Sequence, residues 1–234
     1  MAYAGVNPLD INNLARLTAS SAYPFVLGID FAGVVERVPA GASDLHVGDR
    51  VFGMARTHGA FAEYTAVALG AKAEPLAPIP DGVTDEQAAA LPTAAVTALR
   101  TVDLLGVTKG QRLVVLGATG GVGGYAVQMA LSRGAYVIAT VRGDADFIKP
   151  GGRLVSTIFA ADEKWFAGRQ ITAHNGASSA NPLLSPPGLT AVARMLADGT
   201  ITARIRSTVN LDGAGQVLET LRQGGLRGKA VIRL

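Results

Sequence analysis

The stretch Gly117-Ala118-Thr119-Gly120-Gly121-Val122-Gly123 decides the fold. It follows RLVVLGA (112–118), a short apolar run of buried-strand character. It leads into YAVQMALSRG (125–134), whose apolar spacing is helical, and then AYVIATV (135–141), a second apolar strand. Strand, glycine turn, helix and strand in that order predict the βαβ unit of a parallel sheet. The N-terminus of a helix offers unpaired N–H groups and the positive end of its dipole, which suits a pyrophosphate. Glycine there lets the backbone turn tightly, approach a ligand and pack helix on strand. The alternative reading is a tight βα turn with no ligand. No GK[ST] ending follows, so a triphosphate-binding P-loop is excluded.

The end of the second strand bears on the choice of dinucleotide. An acidic residue there binds a ribose 2′-hydroxyl, whereas a nearby arginine accommodates a 2′-phosphate. Here Val141 and Arg142 follow VIAT, with Asp144 two residues on. Arg142 favours NADPH; its bland alternative is a solvated arginine beside a loop aspartate.

Outward from this unit, GRLVSTIF (152–159) predicts a further buried strand, and NGASSANPLLSPPG (175–188) a loop. A helix is expected over 187–198, with Gly199 past its end. TITARIRSTV (200–209) is expected as a strand, AGQVLETLRQG (214–224) as a helix and KAVIRL (229–234) as a terminal strand. Toward the N-terminus, FAGVVERV (31–38), DRVFGM (49–54) and FAEYTAVA (61–68) read as short strands separated by Gly, Pro and Asp, as in a small barrel or sandwich. Thr84 and Gln87 have capping-box spacing ahead of a helix. Residues 93–106 predict a second helix that Gly106 ends.

The chain has 234 residues, a net charge of +3 and no cysteine. The absence of cysteine removes disulfides, thiolate nucleophiles and every zinc site that needs sulfur. The basic excess forms no run, which argues against nucleic acid. No apolar run is long enough for a membrane span, and the N-terminus lacks a signal-peptide pattern, so a soluble cytoplasmic protein is expected. The hydrolase elbow GxSxG is absent. No tyrosine is followed by lysine four positions later, as short-chain reductases require. His46, His58 and His174 fit no metal spacing and read as structural or solvated.

Taken together, AGVNPLD (4–10), YPFVLGIDFAGVV (23–35), VGDRVFG (47–53), GAFAEY (59–64), AALPTAAVTAL (89–99), GATGGVG (117–123), KPGGRLV (149–155) and GKAVIRL (228–234) occur in the order seen in medium-chain dehydrogenases/reductases. The chain resembles their zinc-independent quinone oxidoreductase branch. The resemblance implies an α/β protein: a GroES-like β-barrel catalytic domain (1–95, with a return over 185–234) and a Rossmann parallel-sheet domain (96–184). NADPH would lie in the cleft between them. Zinc-containing relatives place a histidine ligand where this chain has Ile29, within Gly28-Ile29-Asp30. Together with the missing cysteine, this implies a site without metal.

By motif position, Asn7 would donate from its amide to a substrate carbonyl; the alternative is an Asn-Pro turn bonding its own backbone. Tyr64 would present its hydroxyl as a donor or proton source; the alternative is a half-buried strand tyrosine. Tyr23 would wall the substrate pocket; the alternative is an ordinary loop aromatic. Thr97, Ala118, Thr119, Gly120, Gly121, Val122, Gly123, Arg142, Thr157 and Ile158 would line the cofactor, Thr97 having a back-bonded helix threonine as its alternative. The expected reaction is hydride transfer to a quinone or α,β-unsaturated carbonyl. The alternatives are an enoyl-thioester reductase of the same superfamily and a non-catalytic relative that binds NADPH or RNA. A homodimer is implied, without a membrane partner.

Two departures accompany the resemblance. Family members carry further residues before AGVNPLD and a longer segment before KPGGRLV. Here RGDADFIKPG (142–151) alone joins Val141 to Gly152. A parallel crossover takes about a dozen residues or more and usually carries a helix. The expectation is therefore either a native chain with more residues at these places, or a rearranged sheet with a gap beside the strand at 112–118.

Overall fold

Alternation along neighbouring strands of the largest sheet separates two cores, and among the described residues a small third cluster gathers around Phe166 and Ile171. The computed structural model describes residues 1–20, 24–39, 41, 44–55, 59–69, 74–140, 151, 153–157, 163–175 and 184–234. Its elements, in chain order, are β1 (Tyr3–Val6), α1 (Pro8–Ser20), β2 (Asp30–Val34), β3 (Arg50–Met54), β4 (Leu76–Pro78), α2 (Asp85–Ala89), α3 (Pro92–Leu104), β5 (Arg112–Leu116), α4 (Gly121–Ser132), β6 (Tyr136–Thr140), β7 (Arg153–Ser156), α5 (Glu163–Ala167), β8 (Thr172–Asn175), α6 (Pro186–Ala197), β9 (Ile205–Asn210), α7 (Ala214–Arg222) and β10 (Lys229–Arg233). A six-stranded sheet has the order β4-β3-β2-β1-β10-β9. The last strand of the chain thus lies against the first, antiparallel, with Val6 opposite Ala230.

Successive side chains in a strand point to opposite faces. Ala32, Phe52 and Val231 therefore enter one core, with the alanine-rich helices α2 and α3 and with α4 and α6. Phe31, Val51, Ala230 and Ile232 enter the other, against Val217 of α7. Each large side chain so buried is worth roughly 1.5–3 kcal/mol. Gly5 allows α2 to rest directly on β1, since a Cβ there would overlap Ala89 O. α3 buries nine of its 13 residues, including Ala94, Ala95, Val96, Ala98 and Val102, and leaves Asp103 exposed. Such a wide apolar face marks a helix packed within the core.

The βαβ unit forms as expected: β5 pairs in parallel with β6, from Arg112 opposite Tyr136 to Leu116 opposite Thr140. β7 pairs in parallel with β8. Among the described residues these are two separate two-stranded sheets, and no described strand occupies the free edge of β5. Residues 141–150, where the short connection falls, lie outside the described residues. No helix among the described residues is long and apolar enough to cross a membrane.

Several boundaries differ from expectation. Residues 61–68 form no strand. Their amides bond elsewhere: Ala60 N and Phe61 N donate to Gly28 O and Leu27 O, and Ala68 N and Glu74 N close a loop through the Glu74 carboxylate and Ala68 O. The strand expected over 200–209 begins only at Ile205. Residues following Asn7 form helix α1 rather than an Asn-Pro turn, because Pro8 suits a first helical position. The Thr84 capping box is present with both of its bonds. Gly106, Gly199 and Gly224 close their helices with positive φ.

Candidate functional site

Three adjacent strands, β2, β1 and β10, bring chemistry to one end of the sheet. Asp30 begins β2, Asn7 follows β1 and Lys229 begins β10, so Gly5 opposite Asp30 and Val6 opposite Ala230 fix their proximity. The N-terminus of α3 arrives at the same place with Thr93. All four meet in a buried polar cluster. Lys229 Nζ donates to Asn7 Oδ1 at 2.6 Å and to Val6 O at 2.8 Å. Asn7 Nδ2 donates to Asp30 Oδ2 at 2.9 Å. Thr93 donates to the same carboxylate through its backbone N–H (3.0 Å) and its hydroxyl (2.6 Å). Asp10, in the first turn of α1, accepts from Asn7 N–H at 2.8 Å, and its Oδ1 is buried without a hydrogen-bond partner.

Burial governs the protonation of this cluster. It raises Asp10 to about 7, an effect that the Asn7 N–H opposes and the Asp30 charge adds to. It also raises Asp30, against the pull of Lys229 and the Thr93 bonds. The Lys229 ammonium is pushed down by burial, and the two carboxyls hold it up. Two carboxyls and one ammonium share a volume closed to water, so the neutral arrangement leaves one proton on a carboxyl.

The glycine turn lies directly beyond Lys229. A Cβ on Gly121 would come within 3.0 Å of Lys229 Cδ, so the lysine stem rests on the first residue of α4. Gly117 has φ +73°, and a Cβ on Gly123 would run into Gly117 O. These positions therefore need glycine. Gly120, at the N-cap of α4, supplies no capping side chain. The first-turn N–H groups consequently lack a capping side-chain acceptor, and a helix start of this kind has the chemistry a pyrophosphate takes. Thr119, Gly120, Gly121, Gln128, Arg204 and Lys229 line a cavity of about 30 Å³ at this turn. That volume is water-sized, so the fit of a dinucleotide rests on the open backbone of the turn.

The structure brings together Asn7, Ala118, Thr119, Gly120 and Gly121 around Lys229. Val122 and Gly123 continue the turn into α4. Thr97 is buried one helical turn beyond Thr93, and its carbonyl accepts from the Thr101 hydroxyl. Thr157 is half-buried just past β7. Tyr64 is 67 % exposed in a loop, where a half-buried strand position was the alternative expected for it. Tyr23, Arg142 and Ile158 lie outside the described residues. Sequence reasoning passed over Asp10, Asp30, Thr93 and Lys229 as site residues. The available signal was a lysine heading the apolar run AVI, and all of Lys229–Ile232 is buried. Ile29, in place of a histidine, is buried. Among the described residues no group of three or more His, Cys, Asp and Glu can hold a metal ion.

Residues 1–81 match the alcohol dehydrogenase GroES-like domain. The chain is similar to a mycocerosic acid synthase-like polyketide synthase of Mycobacterium tuberculosis, 43 % identical over 49 % of this chain and 5 % of that protein. It is similar to a mitochondrial NAD(P)H oxidoreductase of Mus musculus, 31 % identical over 61 % of this chain and 40 % of that protein. The chain thus spans well under half the length of these curated relatives. The solved quinone oxidoreductase of Coxiella burnetii matches all of this chain and 88 % of its own, with a TM-score of 0.80 at 20 % identity, a likeness of fold.

Proposed function

We propose that this chain, which belongs to the medium-chain dehydrogenase/reductase superfamily, is a zinc-free, NADPH-dependent reductase of quinones or α,β-unsaturated carbonyls. The observation that carries the reading is the glycine turn at the carboxyl end of β5, which opens α4 without a capping side chain. Bound NADPH supplies a hydride. The chain's own residues bind and orient. Ala118–Gly123 would hold the pyrophosphate, Arg142 the 2′-phosphate, and Thr97, Thr157 and Ile158 the nicotinamide half. Tyr23 would wall the acceptor.

Reducing a carbonyl conjugate also requires a hydrogen-bond donor for the developing oxyanion and a proton. Asn7 is our candidate donor and Tyr64 our candidate proton source, its hydroxyl open to solvent. Ile29 and the absence of cysteine support a metal-free site. Residues 1–95 with the return over 185–234 would form the catalytic domain, and 96–184 the cofactor domain, of a cytoplasmic homodimer.

A second reading, an enoyl-thioester reductase, is favoured by the 43 % identity to a polyketide synthase. NADPH oxidation followed at 340 nm with 1,4-quinones, enones and enoyl-CoA in parallel, against an NADH control, tests both. Turnover of quinones or enones supports the first reading, and selective turnover of enoyl-CoA the second. NADPH binding without turnover on any acceptor would overturn both in favour of a non-catalytic relative.

A further inference from the structure

The dipeptide Gly228-Lys229 touches the glycine turn and the buried cluster at once. Gly228 N–H donates to Thr119 O at 2.7 Å, and Gly228 pairs with Gly120 in a parallel bridge. Its φ is +96°, and a Cβ there would lie 2.6 Å from Arg204 O, so the approach needs glycine. The next residue sends its stem across Gly121 and its ammonium to Asn7. A buried ammonium is costly, and apolar residues of the same volume usually pack such a site as well or better. Packing alone therefore does not explain a lysine that is 3 % exposed.

The ammonium has only donors and the Asp30 carboxylate only acceptors. Between them the Asn7 carboxamide has one possible orientation, Oδ1 toward Lys229 and Nδ2 toward Asp30. Its second N–H meets only Gly5 O, at 3.5 Å, the outer limit of a hydrogen bond. That N–H, buried with the rest of Asn7 at 3 % exposure, is the most weakly held donor of the cluster and the one the reductase reading assigns to a substrate oxygen.

We propose that Lys229 is a positioning residue: it fixes the orientation of the Asn7 carboxamide and holds it at a set distance from the glycine turn on which its own stem rests. The inference deepens the reductase reading and rests on it.

The test is Lys229→Met, which keeps the stem and removes the donors, beside the double variant Asp30→Asn/Lys229→Met, which also removes the carboxylate that Lys229 balances. In Lys229→Met the KM for NADPH stays within about twofold, because the contact with Gly121 persists, and kcat falls about 100-fold, the scale of a small misplacement. In the double variant the melting temperature returns toward wild type and kcat does not. Recovery of kcat together with stability would reduce Lys229 to a structural role and overturn the proposal. If Lys229→Met does not fold, the double variant alone carries the comparison.

The Asn7 side-chain amide, observed by ¹⁵N NMR, is the readout that does not need turnover. Its two protons are expected to be shifted from the positions of a free asparagine and slow to exchange in wild type, and to move toward those positions and exchange faster in either variant. An unchanged amide overturns the proposal even if the wild type turns over no acceptor; that separate result would sink the reductase reading alone.

Discussion

Asp30 caps a helix to which it does not belong: from the first residue of β2 its carboxylate accepts both the backbone N–H and the hydroxyl of Thr93, at the start of α3. The helix N-terminus favours a negative charge, and Pro92 ahead of Thr93 has no N–H to satisfy. One buried carboxylate thereby joins the six-stranded sheet to the helical core. It also borders Asn7, so the joint is part of the candidate site.

Replacing Asp30 by alanine should therefore be costly. The change strands the Thr93 N–H and the Asn7 amide and removes the charge that does most to hold up the buried Lys229 ammonium. Each buried donor left unsatisfied costs about 1–3 kcal/mol. Asp30→Asn should cost less, because the Asn oxygen still accepts and the Thr93 hydroxyl can reverse its bond. Urea unfolding with unchanged m-values would measure both; equal, small losses for the two variants would contradict this account.

Acid should stabilise the cluster. The Asp10 carboxyl is raised from 3.8 to about 7 in the folded chain. A raised carboxyl contributes its stability below the unfolded value, and that contribution is lost as pH rises through the folded value. Between about pH 4 and pH 7 the wild type should lose a few kcal/mol through this group. Asp10→Asn keeps an acceptor for the Asn7 N–H and cannot ionise. Its melting temperature should thus fall less than that of the wild type between pH 5 and pH 8. Parallel curves for the two proteins would show that Asp10 does not titrate in this range.

Local chemistry made part of this molecule legible. The glycine turn, the apolar runs that became β5 and β6, and the Thr84–Gln87 capping box all depend on residues close in sequence. The cluster does not: Lys229 and Asn7 stand 222 residues apart, and each is unremarkable in its own segment. Only the antiparallel pairing of β10 with β1 brings them together. The strand expected over 61–68 failed for the same reason. Its β-branched and aromatic residues suit a strand, but tertiary bonds to Leu27 and Gly28 had already taken the backbone at 60–61.

The turn itself can be tested without touching a side chain that binds. Gly123→Ala would press a Cβ against Gly117 O, and relieving such a clash costs about 1–3 kcal/mol and shifts backbone. NADPH affinity, read by quenching or transfer of its fluorescence, should weaken by about tenfold or more, since 1.4 kcal/mol is a factor of ten. Gly124→Ala makes a useful control one residue on, because the nearest atom to its Cβ, Ala118 O, lies 3.6 Å away. Equal affinities for the two variants would remove the turn from the cofactor site.

Tyr64 separates a chemical role from a structural one cleanly, because its side chain is 67 % exposed. Its loop is nonetheless anchored to the segment before β2 and to the amino terminus. Phe61 packs where a Gly28 Cβ would be, and the chain's amino terminus donates to Glu63 O. Tyr64→Phe removes only the hydroxyl, and at such a surface the change in stability should stay within about 0.5 kcal/mol. If the hydroxyl delivers the proton, kcat should fall by about 100-fold or more, with the KM for NADPH unchanged. Stopped-flow kinetics with a deuterated solvent would place the loss in the proton-transfer step. A variant as fast as wild type would assign the proton to solvent, and Tyr64 would then be an ordinary surface residue.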